Sequence, residues 1–109
     1  MNEQDPGEPP QEVYHDDWSL EQVGQLFLDL AAGAEVEHVQ IRLSADRPSA
    51  DQRVTLQDAS DAFHRGEATA IQIRYRFEGQ VWCDTLMVRP TEVRIVRTPM
   101  PAWLGNPPL

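Results

Sequence analysis

The sequence has little cysteine, no lysine and no long apolar run. Its single cysteine, Cys83, cannot form an intramolecular disulfide and cannot supply a structural zinc site by itself. No apolar stretch approaches the about 20 residues of a membrane-spanning helix, and the N-terminus lacks the basic-then-apolar pattern of a signal peptide. We therefore expect a cytoplasmic protein that does not bind a membrane.

Motifs for metal binding, phosphate binding and nucleophilic catalysis are also missing. The histidines His15, His38 and His64 form no i,i+4 pair, and the chain contains no HExxH or CxxC spacing. The glycines are isolated from one another, so none builds a phosphate-cradling loop. His15-Asp16-Asp17 is at most a weak cation site. We expect no metal, no cofactor and no enzymatic activity.

Acidic residues dominate one end of the chain. The net charge is −9, yet residues 36–109 contain nine acidic residues and nine arginines, whereas residues 1–35 contain nine acidic residues and no Lys or Arg. Without a basic surface, the chain is not expected to bind the phosphates of nucleic acid directly. An alternative hypothesis follows from the same pattern: residues 1–35 act as an acidic mimic that inhibits a nucleic-acid-binding protein.

The chain has the size of one domain with a tail at each end. Residues 1–17 combine proline, glycine and acidic side chains with few apolar groups, a composition typical of disorder. Residues 99–109 are rich in proline and carry Trp103, so an extended tail is expected there. The folded α+β domain is predicted over residues 18–98.

Residues 69–98 show the pattern of three consecutive antiparallel strands. In the first strand every second residue is large and apolar, namely Ile71, Ile73, Tyr75 and Phe77. Glu78-Gly79 then supplies a two-residue turn, because glycine accepts the positive φ that primed hairpin turns require. Pro90-Thr91 is predicted to form the second turn.

These two turns predict a register that places Tyr75 opposite Trp82 and Asp84 opposite Arg97. A carboxylate on an apolar face is costly unless it is paired, so the main hypothesis is a structural ion pair between Asp84 and Arg97 that fixes the register. The alternative is an acid or base in a small cleft. In that reading the protein is a small enzyme centred on Asp84, Arg97 and Cys83.

Two helices precede this unit. The first is predicted over residues 19–32, because Ser19 and Gln22 have the spacing of a capping box ahead of an apolar stripe. The second is predicted to begin at Thr55 and to end before Gly66.

The element order indicates a fold class. Residues 36–43 alternate as a fourth strand, so the order is α-β-α-β-β-β. We predict an α+β two-layer sandwich with both helices on one face of a four-stranded, mainly antiparallel sheet that ends in a three-stranded meander. The pattern does not fix the position or direction of the strand at residues 36–43.

The sheet face away from the helices is the predicted functional surface. It would carry Arg74, Arg76, Met87 and Arg94, and Trp103 of the C-terminal tail could join them. Arginine and methionine are enriched at protein interfaces, although a solvated face with cross-strand pairs has the same composition. The leading hypothesis is a small accessory or regulatory protein that binds another protein through this face and the tails. The alternative is that the chain's own tails cover this face. Homodimerisation through an edge strand or this face stays open.

Overall fold

The structure is a computed structural model that describes residues 13–44 and 52–100. This part of the chain forms two helices and six strands. In chain order they are β1 (Tyr14–Ser19), α1 (Leu20–Gly33), β2 (Glu35–Leu43), β3 (Gln52–Arg53), α2 (Leu56–His64), β4 (Ala68–Phe77), β5 (Gln80–Val88) and β6 (Glu92–Met100).

All six strands form one antiparallel sheet in the order β1-β6-β5-β4-β2-β3. The α+β class is confirmed, but the predicted count of four strands is wrong. β3 is a two-residue strand inside a polar stretch, and β1 has the sequence YHDDWS, whose two aspartates disfavour a strand by propensity. Both β1 and β3 therefore form because they pair with a neighbouring strand, and no local sequence pattern indicates them.

The first hairpin turn has the predicted chemistry. Glu78 has φ 51° and Gly79 has φ 80°, so both central residues adopt the left-handed conformation of a type I′ turn. The predicted register between β4 and β5 is confirmed, with Tyr75 opposite Trp82.

The second turn is closed by a hydrogen bond in which the Arg89 backbone N–H donates to the Glu92 carbonyl at 2.9 Å. It sets the register of β5 and β6, and Asp84 lies opposite Arg97 as predicted. A slip of one residue would move every side chain of β6 to the other face of the sheet, so this turn decides which residues reach the core.

Both helices begin with a capping box, of which the one at Ser19 was predicted. In α1 the Ser19 Oγ accepts from the Gln22 backbone N–H at 3.1 Å, and Gln22 Oε1 accepts from the Ser19 N–H at 2.8 Å. Thr55 and Asp58 make the same reciprocal contacts at the start of α2. Beyond the end of α2, Gly66 adopts φ 74°, consistent with a glycine-terminated helix.

The strand whose position the sequence left open is β2. It lies beside β4 and runs antiparallel to it, with a register shift between Val36 and His38. Glu37 is thus an extra residue in a β-bulge. The bulge brings its carboxylate to the same face of the sheet as Arg74 and Arg76.

The predicted tails overlap β1 and β6. Residues 14–17, assigned to the N-terminal tail, form most of β1, while residues 1–12 lie outside the described part of the chain. Pro99, assigned to the C-terminal tail, belongs to β6. Pro99 lies beyond the last described pair of β1 and β6, which is Tyr14 with Arg97, and proline is tolerated where a strand pairs on one side. Trp103 lies outside the described residues.

The core lies between the helices and the inner face of the sheet, the face that packs against α1 and α2. Sixteen buried apolar residues form one cluster there, including Val23, Phe27, Phe63, Ile73 and Leu86. Among the described residues the one buried charged side chain is Asp84, which has 0% exposure. The opposite side of the sheet is called the outer face below.

Candidate functional site

The predicted ion pair between Asp84 and Arg97 is present on the inner face. Arg97 Nε donates to Asp84 Oδ1 at 2.9 Å, and Arg97 Nη2 donates to Oδ2 at 2.8 Å. The Tyr75 hydroxyl oxygen lies 3.2 Å from each carboxylate oxygen. Each carboxylate oxygen therefore has two hydrogen-bonding neighbours, which is what a buried carboxylate requires to be stable.

The protonation states around Asp84 fit a structural role. Burial and the neighbouring Asp84 carboxylate raise the pKa of Tyr75, so its phenol stays protonated at neutral pH. The hydrogen bond with Asp84 raises the pKa of Arg97, so the guanidinium stays charged. Neither group is shifted toward proton transfer near neutral pH.

A cleft of about 390 Å³ lies beside this pair, between α1 and the sheet. Arg97 reaches into it with its guanidinium carbon 5.8 Å from the centre of the Trp18 ring, but Asp84 does not line it. Cys83 and Asp84 are successive strand residues, so their side chains point to opposite faces of the sheet. Asp84, Arg97 and Cys83 thus do not converge on one site, as the enzyme hypothesis would require.

The outer face is the second predicted site. No helix of the described residues packs on it, because both helices lie against the inner face. The residues predicted for this face, Arg74 and Arg76 on β4, Met87 on β5 and Arg94 on β6, share it because they alternate with buried core positions.

The arginines of β4 share one carboxylate. Arg76 Nη2 lies 3.3 Å from Glu37 Oε2, and Arg74 Nε lies 3.7 Å from Glu37 Oε1. The Arg74 Nε is buried yet has no hydrogen-bond partner. Glu37 therefore holds two guanidinium groups in place but satisfies Arg74 only in part.

Arg94 is paired across the β1–β6 edge. Its Nε donates to Asp17 Oδ1 at 2.7 Å, and both side chains are exposed. The hydrogen bond from Arg94 lowers the pKa of Asp17 below the ordinary aspartate value. The pair orients Arg94 along the rim of the outer face. Sequence reasoning missed it because β1 was assigned to the tail.

A shallow depression of about 260 Å³ lies on the outer face, near the end of β4 that is away from the Glu78-Gly79 turn. Ala70 forms its floor, because this small residue lies between the longer side chains of Arg42 on β2 and Met87 on β5. Met87 is 44% exposed at its wall. The complete lining is Gln40, Ile41, Arg42, Ala70, Ile71, Gln72, Thr85 and Met87.

Cys83 lies half-buried on the same face. Burial and the neighbouring Asp84 charge raise the pKa of its thiol, so the thiolate form is disfavoured at neutral pH. His38 is two strands away, a separation of about 10 Å, and its Nε2 lies 3.0 Å from Gln40 Oε1 instead. This arrangement suits a packing cysteine better than a nucleophile.

The structure does not place all three weak cation-site residues on one face, because Asp16 points away from His15 and Asp17. Asp16 and Asp17 alternate along β1, and Asp17 is engaged by Arg94. Within residues 13–44 and 52–100, no three His, Cys, Asp or Glu side chains are grouped so that they could hold a metal ion. Neither α1 nor α2 has the length and apolar character needed to cross a membrane.

The described residues form an α+β domain in which both helices pack on one face of the sheet. The sequence matches no protein-family model, and comparison with characterised proteins and with solved structures finds no significant match. Function is therefore inferred from the geometry of the chain itself.

Proposed function

We propose that the chain is a small accessory or regulatory protein that binds another protein through the outer face of its sheet. The observation that carries this proposal is Met87, which is 44% exposed beside the Ala70 depression on a face that no described helix covers. Exposed methionine is a flexible apolar contact, and arginine and methionine are enriched at protein interfaces.

The surroundings of the depression define the partner surface that would fit. An apolar side chain of the partner fills the depression against Met87, and its carboxylates contact the surrounding arginines. The ion pairs Arg76–Glu37 and Arg94–Asp17 hold their guanidinium groups in place before binding. Less side-chain entropy is then lost in the complex.

Arg74 offers a specific contact. Its Nε is buried without a hydrogen-bond partner, and an unsatisfied buried donor costs about 1–3 kcal/mol. Nε itself is out of a partner's reach, but a partner carboxylate can bind the exposed part of this guanidinium, which Glu37 pairs only at 3.7 Å. The outer face thus favours a partner segment with both acidic and apolar side chains.

Site-specific photo-crosslinking in the native cell tests the proposal. The photoreactive amino acid p-benzoylphenylalanine replaces Met87 in one protein and Gln57, an exposed residue of α2, in a matched control. We expect one discrete protein adduct from position 87 that is missing from position 57. Equal adducts from both positions, or none from position 87, would contradict the proposal.

A further inference from the structure

A second apolar surface lies on the opposite side of the molecule, between the two helices. It is a groove of about 520 Å³ lined by Leu20, Glu21, Gly24, Gln25 and Leu28 of α1 and by Ser60, Phe63 and His64 of α2. This groove is separate from the outer face, because the whole sheet lies between them.

The α1 side of the groove carries two leucines that are not part of the buried core. Leu20 is 40% exposed and Leu28 is 65% exposed, whereas Val23 and Phe27 of the same helix are buried in the core. The two leucines lie four residues on either side of Gly24, so all three share one side of α1. Together they form an apolar stripe along the groove.

Gly24 keeps the floor of the groove low. A Cβ atom at this position would lie 3.3 Å from His64 Nε2, closer than an ordinary contact. Glycine inside a helix costs about 0.5–1 kcal/mol relative to alanine. That cost is offset where a neighbouring side chain must approach the helix closely. Here the neighbour is the His64 ring of α2, whose orientation is fixed by a 2.8 Å contact between its Nδ1 and the Ser60 carbonyl.

The ionised side chains within the two helices are all acidic, and Arg65, which caps the end of α2, is paired with Glu67. Neither α1 nor α2 contains a lysine or arginine. The acidic residues are Glu21 and Asp29 on α1 and Asp58 and Asp61 on α2. The outer face, in contrast, carries both signs, because Arg74, Arg76 and Arg94 are paired there with Glu37 or Asp17. The helical side of the domain is therefore the more uniformly acidic of the two.

We propose that the α1–α2 groove binds an amphipathic helix with a basic polar face, supplied by a partner protein. Its apolar side chains would pack between Leu20 and Leu28, against the His64 ring that lies over Gly24. Lysine or arginine flanking that apolar face would meet Glu21 and Asp29. A second copy of α1 is disfavoured as the occupant, because the same acidic residues would then face each other.

A designed peptide tests the groove directly. The probe is a labelled helix of about 18 residues with leucine at i, i+3, i+4 and i+7 and lysine elsewhere, and the matched control peptide replaces each lysine by glutamate. Fluorescence anisotropy with the full chain should show binding of the lysine peptide that weakens between about 0.05 M and 0.5 M NaCl. The glutamate peptide should not bind.

Variants then locate the binding. Leu28→Ser should weaken binding of the lysine peptide about tenfold, as expected for one buried leucine, whereas Met87→Ser on the outer face should leave it unchanged. Glu21→Gln with Asp29→Asn should flatten the salt dependence. Neutralising Glu3 and Glu8 in the N-terminal region should have no effect and controls for non-specific attraction.

Four outcomes would overturn the inference. They are no binding of the lysine peptide, equal binding of both peptides, an affinity that Leu28→Ser leaves unchanged, and sedimentation of the free protein as a dimer that Leu28→Ser dissociates. The last would identify a second copy as the occupant. None of these outcomes bears on the outer face, so this inference and the proposed function fail separately.

Discussion

Asp84 and Arg97 lie directly opposite each other on β5 and β6 and are joined by two hydrogen bonds of 2.9 Å and 2.8 Å. A buried carboxylate can be paired in this way only if the two strands keep their register. The pair therefore favours one register over its alternatives, in addition to the turn that precedes β6.

We predict that Asp84→Asn lowers the free energy of unfolding by about 3 kcal/mol, because removing one charge of a buried pair leaves the other uncompensated. Urea denaturation followed by circular dichroism measures the loss. The matched control is Asp29→Asn on the exposed side of α1, where a change within about 0.5 kcal/mol is expected. Equal, small losses in both variants would contradict a structural role for the pair.

Two substitutions in the β4–β5 turn should change the stability of the fold in opposite directions. Glu78 has φ 51°, which is unfavourable for a residue with a side chain, and asparagine tolerates this conformation better. Glu78→Asn should therefore stabilise the fold by about 0.5 kcal/mol, whereas Gly79→Ala, at φ 80°, should destabilise it by about 1–2 kcal/mol. Thermal unfolding tests both, and destabilisation by Glu78→Asn would contradict the turn geometry.

The Asp17 carboxyl should titrate below the ordinary value of 3.8, because Arg94 donates a hydrogen bond to its charged form. A depressed pKa stabilises the folded state above pH 3.8, and that stabilisation is lost as the pH falls through the folded-state value. Carboxyl-carbon NMR of Asp17 measures the midpoint. It should return toward 3.8 in Arg94→Gln and in high salt; a midpoint that neither change moves would contradict the pairing.

The Cys83 thiol should react slowly with iodoacetamide at pH 7, because burial raises its pKa above the ordinary 9.0. The rate should keep rising as the pH passes 9, since the thiolate is the reactive form. Arg74→Gln should slow the reaction further, because it removes a cation that stabilises the thiolate. A rate that has already reached its plateau at pH 7 would show an activated cysteine and revive the catalytic reading.

Much of the fold was predictable because short-range chemistry determined it. The turns at Glu78-Gly79 and Pro90-Thr91 fixed the β4–β6 register, and the capping boxes at Ser19 and Thr55 fixed where the helices begin. β1 could not be found in this way, because its charged residues become strand residues only when β6 is present to pair with them.

The candidate site was likewise predictable only in part. Alternation along single strands was enough to place Arg74, Arg76, Met87 and Arg94 on one face. The ion pairs of these arginines with Glu37 and Asp17 form because β2 pairs with β4 and β1 pairs with β6. No local sequence pattern specifies which strands pair. The groove at Gly24 likewise depends on how α1 and α2 pack, which their separate amphipathic patterns leave undetermined.

The central claim is that the outer face binds a partner protein. The most direct measurement uses the partner protein that the crosslinker at position 87 captures. Its affinity is measured for three purified chains: the wild type, Met87→Asp and the control Gln57→Asp. Isothermal titration calorimetry should show a loss of at least about tenfold for Met87→Asp, because a charge is then buried against an apolar contact, and no change for Gln57→Asp. Equal affinities for all three chains would contradict the claim.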